Sequence, residues 1–174
     1  MKRILFILLS LVCTAASAQD FYWANQLGGS QTDYGRSVVS DHQGNVFVAI
    51  EFQNTTVLGD STFQSNGGNE AAIVKFSADG DFIKAYHFGG QNYDVINKID
   101  VDGMGNIYFI GQSSGEFEFD GVTYPLTFSS DIFVAKLTTD LDEVWLKTGG
   151  SNSEDRGYDL AVDQAGNVYF TGYT

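Results

Sequence analysis

The chain has 174 residues, with 22 acidic against nine basic side chains and a formal net charge of −13. An acid surplus of this size repels phosphate backbones and anionic lipid heads, which argues against nucleic acid and membrane surfaces as partners. Twenty glycines, a single proline and 14% aromatic residues exclude a disordered composition and suit many short strands joined by tight turns.

The first element is a leader. Lys2 and Arg3 precede an apolar run from residue 4 to residue 13, and Ala16-Ser17-Ala18 supplies the small residues that a signal peptidase reads. The run is about half the ~20 residues that a bilayer-spanning helix needs, so residues 1–18 are read as a signal peptide with cleavage before Gln19. The weaker alternative, a lipid anchor on Cys13, lacks the small preceding residue that such sites want, because Val12 stands there. Cys13 is the sole cysteine, so the mature chain is expected to have no disulfide and no thiolate chemistry. Removal of Lys2 and Arg3 leaves seven basic residues against 22 acids, a mature net charge of −15. A domain of this length without disulfides has to be held by its own core.

Beyond the leader the chain repeats itself. Asp41-x-x-Gly44-Asn45-Val46-Phe47-Val48 returns as Asp102-x-x-Gly105-Asn106-Ile107-Tyr108-Phe109 and as Asp163-x-x-Gly166-Asn167-Val168-Tyr169-Phe170, and the two intervals between the glycines are equal. Gly28-Gly29, Gly89-Gly90 and Gly149-Gly150 keep the same interval to within one position, each followed by an acid, Asp33, Asp94 or Asp155. Ala72-Ile73-Val74-Lys75-Phe76 and Phe133-Val134-Ala135-Lys136-Leu137 carry lysines at that interval again. Three markers at one period, about 61 residues, define a repeat architecture.

Each unit reads as four strands. The first is expected over residues 36–40, 96–101 and 158–162, and the second over residues 46–52, 107–112 and 168–172. The Asp-x-x-Gly-Asn segment between them has the residues of a tight turn. Residues 116–127 are read as a small hairpin about Asp120-Gly121. The third strand is expected over residues 71–76 and 131–137, and the fourth over residues 82–88 and 144–148. Residues 21–27 match a fourth strand with no repeat before it. No sustained helical period appears, and the second strand is apolar on both faces, as Ile107, Tyr108, Phe109 and Ile110 show. Such a strand belongs in a sheet covered on both sides, which stacked antiparallel blades supply without helices. The fold class is therefore all-β: a β-propeller of four-stranded blades, one per repeat, with units over residues 28–88, 89–148 and 149–174.

The units resemble the SBBP-type β-propeller repeat of secreted bacterial proteins. The likeness is carried by Gly149-Gly150, by Asp163-x-x-Gly166-Asn167-Val168-Tyr169-Phe170-Thr171-Gly172, by Asp131-Ile132-Phe133-Val134-Ala135-Lys136, and by Trp23 and Trp145. The resemblance implies an extracellular or cell-surface role, often adhesive or scaffold-like. Propellers close with about four to eight blades, so a chain ending after some two and a half units is expected to be either a truncated reading frame or one of several chains in a ring. Self-association through open blade edges is expected on the second reading.

Chemistry-bearing clusters are sparse. Two histidines, His42 and His87, cannot make a zinc site. The stretch from Asp100 to Asn106 has Met104 where a calcium loop wants oxygen. Asp33, Asp94 and Asp155 are retained as calcium candidates, with tight-turn acceptors as the preferred reading. Glu116, Glu118 and Asp120 read as a solvated strand. No catalytic residue and no cofactor are assigned. The expected function is a secreted, non-catalytic module that binds or scaffolds an extracellular protein or glycan. The alternative is a polysaccharide-acting hydrolase or lyase with its site at the end of the channel, where Arg36 and Arg156, set against Asn97, break the repeat.

Overall fold

The structure is a computed structural model that describes residues 22–125 and 129–174. The signal-peptide reading falls on residues outside those described. Thirteen strands form: β1 (Gly28–Gly29), β2 (Tyr34–Ser40), β3 (Val46–Leu58), β4 (Ser61–Phe76), β5 (Phe82–Phe88), β6 (Asp94–Val101), β7 (Ile107–Ser113), β8 (Phe117–Phe119), β9 (Val122–Tyr124), β10 (Asp131–Leu137), β11 (Glu143–Gly149), β12 (Arg156–Val162) and β13 (Val168–Tyr173). All ladders between them are antiparallel. No helix is assigned among the described residues.

The first sheet orders β2-β3-β4-β5, with β1 added to the far half of β3; the second orders β6-β7-β10-β11. β12 and β13 form a two-stranded sheet and β8 and β9 a small hairpin. The expected equality of the units holds for registers and fails for lengths. In the first unit β3 and β4 run on as one long hairpin that turns at Leu58–Ser61, where the second unit has the separate β8–β9 hairpin. The Asp120-Gly121 turn has both residues at positive φ, 50° and 67°, the geometry that matches strand twist in a two-residue hairpin.

The sheets stack face to face. Phe47, Ala49, Ala71, Ile73 and Phe88 of the first sheet close on Ile96, Ile99, Ile107, Phe109, Phe133, Ala135 and Leu137 of the second. β7 is buried along its whole length, as its two apolar faces require. Polar bonds stitch the outer rim of the same junction: Lys84 Nζ donates to Asp140 O at 2.6 Å and Tyr86 OH to Glu143 Oε1 at 2.7 Å.

Residues 22–27 form no strand, against expectation. They nevertheless lie against the first sheet, one repeat before the contacts that Lys84 and Tyr86 of β5 make with the second. Trp23 Nε1 donates to Ala78 O at 3.0 Å, Asn25 Nδ2 donates to Gly80 O at 2.7 Å, and the Trp23 ring lies 5.8 Å from Phe76. Trp23 and Asn25 thus dock on the turn after β4, and no third strand for residues 22–27 to pair with is among the described residues.

Candidate functional site

The three Asp-x-x-Gly-Asn turns are alike in detail. Asp41, Asp102 and Asp163 each take two backbone N–H groups and the following Asn side chain at 2.8–3.0 Å. Burial pushes the Asp102 carboxyl up, but the bonds from Asn106, Met104 and Tyr108 outweigh it and hold the group below the usual carboxylate range. The stretch containing Met104 is thus a turn stapled by its own aspartate. His42 lies exposed in the corresponding turn of the first unit.

At the opposite ends of the sheets, Asp33, Asp94 and Asp155 accept the backbone N–H of Gly29, Gly90 and Ser151 at 2.6–2.7 Å. That geometry corrects the alignment of the glycine pairs by one residue. Gly150 and Ser151 stand where the other units have Gly89-Gly90 and Gly28-Gly29, and Gly149 stands where Phe88 is. The second glycine is required by close approach: a Cβ on Gly29 would sit 1.9 Å from Thr55 O, and one on Gly90 2.0 Å from Glu116 O.

Asp94 is fully buried beside Glu70 and receives Ser113 Oγ. Burial first, and then the Glu70 charge, raise its carboxyl above the usual range against the bonds from Ser113 and Gly90. Glu70 in turn contacts His87, whose ring lies between Phe52 and Phe63 at 5.6 and 5.9 Å. His87 is thereby part of the first sheet's packing and not of a cleft.

The residues that break the repeat gather at this same end. β2, β6 and β12 each carry a one-residue bulge at the same repeat position: Arg36 between Gly35 and Ser37, Asn97 between Ile96 and Lys98, Tyr158 between Gly157 and Asp159. A bulge re-aims its side chain and recurs beside binding sites. The pairing expected of Arg156 with Arg36 and Asn97 is corrected accordingly, because Tyr158 holds that position and Arg156 holds the one occupied by Tyr34 and Val95.

Around the bulges a polar mouth forms. Arg36 Nε donates to Glu51 Oε2 at 2.7 Å, Asn69 donates to the other oxygen of that buried carboxylate, and the Arg36 guanidinium lies 5.0 Å over the Tyr34 ring. Asn97 Nδ2 donates to Gln112 Oε1 and to Gly157 O, both at 2.7 Å, tying β6 to β7 and β12. Tyr93 is held by backbone bonds to Ser114 at 2.9 Å. Its hydroxyl is pushed up by burial and by Glu51, with Arg36 and Arg156 opposing. Next to this group, and joined to it through Gln112, a cleft of about 460 Å³ opens, lined by Tyr93, Gln112, Ser114, Ser130, Glu154 and Arg156; the three bulge side chains are not in its lining. Arg36 and Arg156 are legible in the sequence as repeat-breaking positions; Glu51, Tyr93 and Gln112 are not singled out there. The available signal is the identity of Arg36, Asn97 and Tyr158 at one repeat position, which marks a slot held in geometry and varied in chemistry.

Residues 146–174 match the family model described as SBBP, a beta-propeller repeat. The span runs from within β11 through β13 and includes the Gly150-Ser151 loop, Asp155 and the Asp163 turn. No curated protein matches the chain.

Proposed function

We propose that the chain is an extracellular β-propeller repeat module whose sheets are blades, one per sequence repeat, and which binds its ligand, without chemistry, at the polar mouth. The observation that carries the reading is the set of three equivalent bulges presenting Arg36, Asn97 and Tyr158 at one end. A structural repeat has no need to vary those positions, and a binding surface does. The extracellular setting rests on the leader pattern of residues 1–18.

Binding is favoured over hydrolysis by the state of the acids. Both oxygens of Glu51 are engaged, one by Arg36 and one by Asn69, and Glu154 is half-exposed against Arg156. A carboxylate held in this way by guanidinium and amide donors is a structural anchor before it is an acid or base. Among the described residues β13 pairs with β12 only, and an unpaired strand edge is a second route, self-association.

The test is retention of the purified protein on total outer-surface material, polymers and proteins together, from producing cells. Wild type is retained and the Tyr93→Ala/Arg156→Ala double variant is not. Time-dependent release of cleaved products would instead support the hydrolase or lyase reading.

A further inference from the structure

The cleft beside Tyr93 narrows the ligand class, on the premise that the mouth is a binding site. We propose that it takes a neutral, hydroxyl-rich saccharide, with the Tyr93 ring as the stacking face and Arg156, Gln112 and Glu154 as the hydroxyl readers.

Charge balance comes first. The chain is strongly acidic overall, yet the mouth sets two guanidinium groups against two carboxylates. Arg36 is neutralised by buried Glu51, and Arg156 pairs with Glu154. An anionic ligand would want an uncompensated cation, and none faces this cleft among the described residues. A cationic ligand would meet Arg156 at the rim. An apolar ligand would have to desolvate amides, hydroxyls and an ion pair.

The available hydrogen-bonding groups then point to hydroxyls. Arg156 has five donors and gives two of them, from Nε and one Nη, to a single oxygen of Glu154. Both side chains are about half-exposed, 46% and 53%, and their other polar atoms take no further hydrogen bond among the described residues. Gln112 accepts from Asn97 through Oε1, and its Nε2 has no partner among the described residues while the side chain lines the cleft. Donors and acceptors thus alternate within one opening, as a polyol requires.

Rigidity is the third point. The Ser114 hydroxyl and amide fix the backbone of Tyr93 from both sides. Ser130 holds Asp155 likewise, donating from Oγ to Asp155 O at 3.0 Å while accepting its N–H. Tyr93, 38% exposed as a residue, is therefore presented from an anchored backbone, so little conformational freedom is lost on stacking. The opening, about 460 Å³, lies within the ~300–1,000 Å³ of small-ligand sites.

The experiment titrates the full chain by calorimetry and saturation-transfer NMR with cellohexaose, mannohexaose and maltohexaose, and with hexagalacturonate as the charged counterpart. At least one neutral hexasaccharide binds, and more tightly than the uronate. Tyr93→Ala and Arg156→Ala each weaken binding by about tenfold at unchanged melting temperature. Tyr93→Phe, which keeps the ring, retains most of the affinity, and Asp60→Ala in a remote turn changes nothing. Absence of binding by all three neutral sugars, tighter binding of the uronate, or binding indifferent to both alanine variants would overturn the proposal. Mouth-dependent retention on total surface material would survive that failure, so the ligand class and the binding role are judged separately.

Discussion

The junction between the first two sheets and the junction between the second sheet and β12–β13 use the same repeat positions and are filled differently. In the first, Phe88, Phe109 and Phe133 form a triangle with ring centroids 4.6–5.8 Å apart, and Phe109 is inaccessible to solvent. In the second, Gly149 stands in place of Phe88 and Phe170 in place of Phe109, and Phe170 is 56% exposed. Leu160 still buries against Tyr108, Ile110, Ile132 and Val134, but a cleft of about 380 Å³ lies open beside Trp145 and Phe170. β7 is flanked by β6 and β10, whereas among the described residues β13 pairs with β12. Nearly identical strand sequences thus differ in burial with the number of neighbours each has among the described residues.

The largest expected effect breaks the filled junction. Phe133→Ala or Phe109→Ala removes a ring from the triangle and costs about 3–5 kcal/mol, whereas Phe170→Ala costs well under half of that. Chemical denaturation of the purified variants measures both, and equal losses would contradict the asymmetry.

A second contrast separates Gly90 from Ser151, the equivalent position one unit later. Gly90→Ala drives a Cβ toward Glu116 O at 2.0 Å and is expected to cost about 2 kcal/mol or more, in the range of overpacking and backbone strain. Ser151→Ala loses the hydroxyl contacts to Asp155 and the bond its Oγ accepts from the exposed Ser153 N–H and stays within about 1.5 kcal/mol.

Much of this pattern is legible in the sequence. The period, the turns at Asp41, Asp102 and Asp163, and the hairpin at Asp120-Gly121 follow from residues whose local chemistry has few alternatives. The one-residue slip at Gly149-Gly150 is not legible, because two adjacent glycines offer two equal registers and only the N–H that Asp155 accepts chooses between them. The mouth is legible only at Arg36 and Arg156. Glu51 reads as one more acid on an apolar strand until the bulge at Arg36 brings a guanidinium to it. Residues 22–27 carry strand-like residues, yet strand formation needs a hydrogen-bonding neighbour, which local pattern cannot report.

Acidity sharpens the first junction. The folded pKa of Asp94 is raised above the ordinary 3.8, so the folded state holds its proton to higher pH than the unfolded chain does. This contribution is fully present below the ordinary value and is lost as pH rises through the raised one, by at most about 1.4 kcal/mol per pH unit. Asp94→Asn is expected to flatten the melting temperature between pH 4 and pH 7, as calorimetry across that range would report. An unchanged pH profile would remove Asp94 as its source.

The smallest effect concerns the open edge. Tyr169 and Phe170 are exposed on β13, and paired strand edges are the expected route to association. Light scattering should show concentration-dependent growth in apparent mass that Tyr169→Lys/Phe170→Lys suppresses, with little change in melting temperature.

Native-state hydrogen exchange followed by NMR tests the contrast between the two junctions most directly. Amides of β7 and β10 that bond across the second sheet should exchange only through global unfolding. Those of β13, paired on one side, should exchange through local opening at least an order of magnitude faster. Equal protection of β7 and β13 would contradict the account, because it would mean that the second junction is as closed as the first.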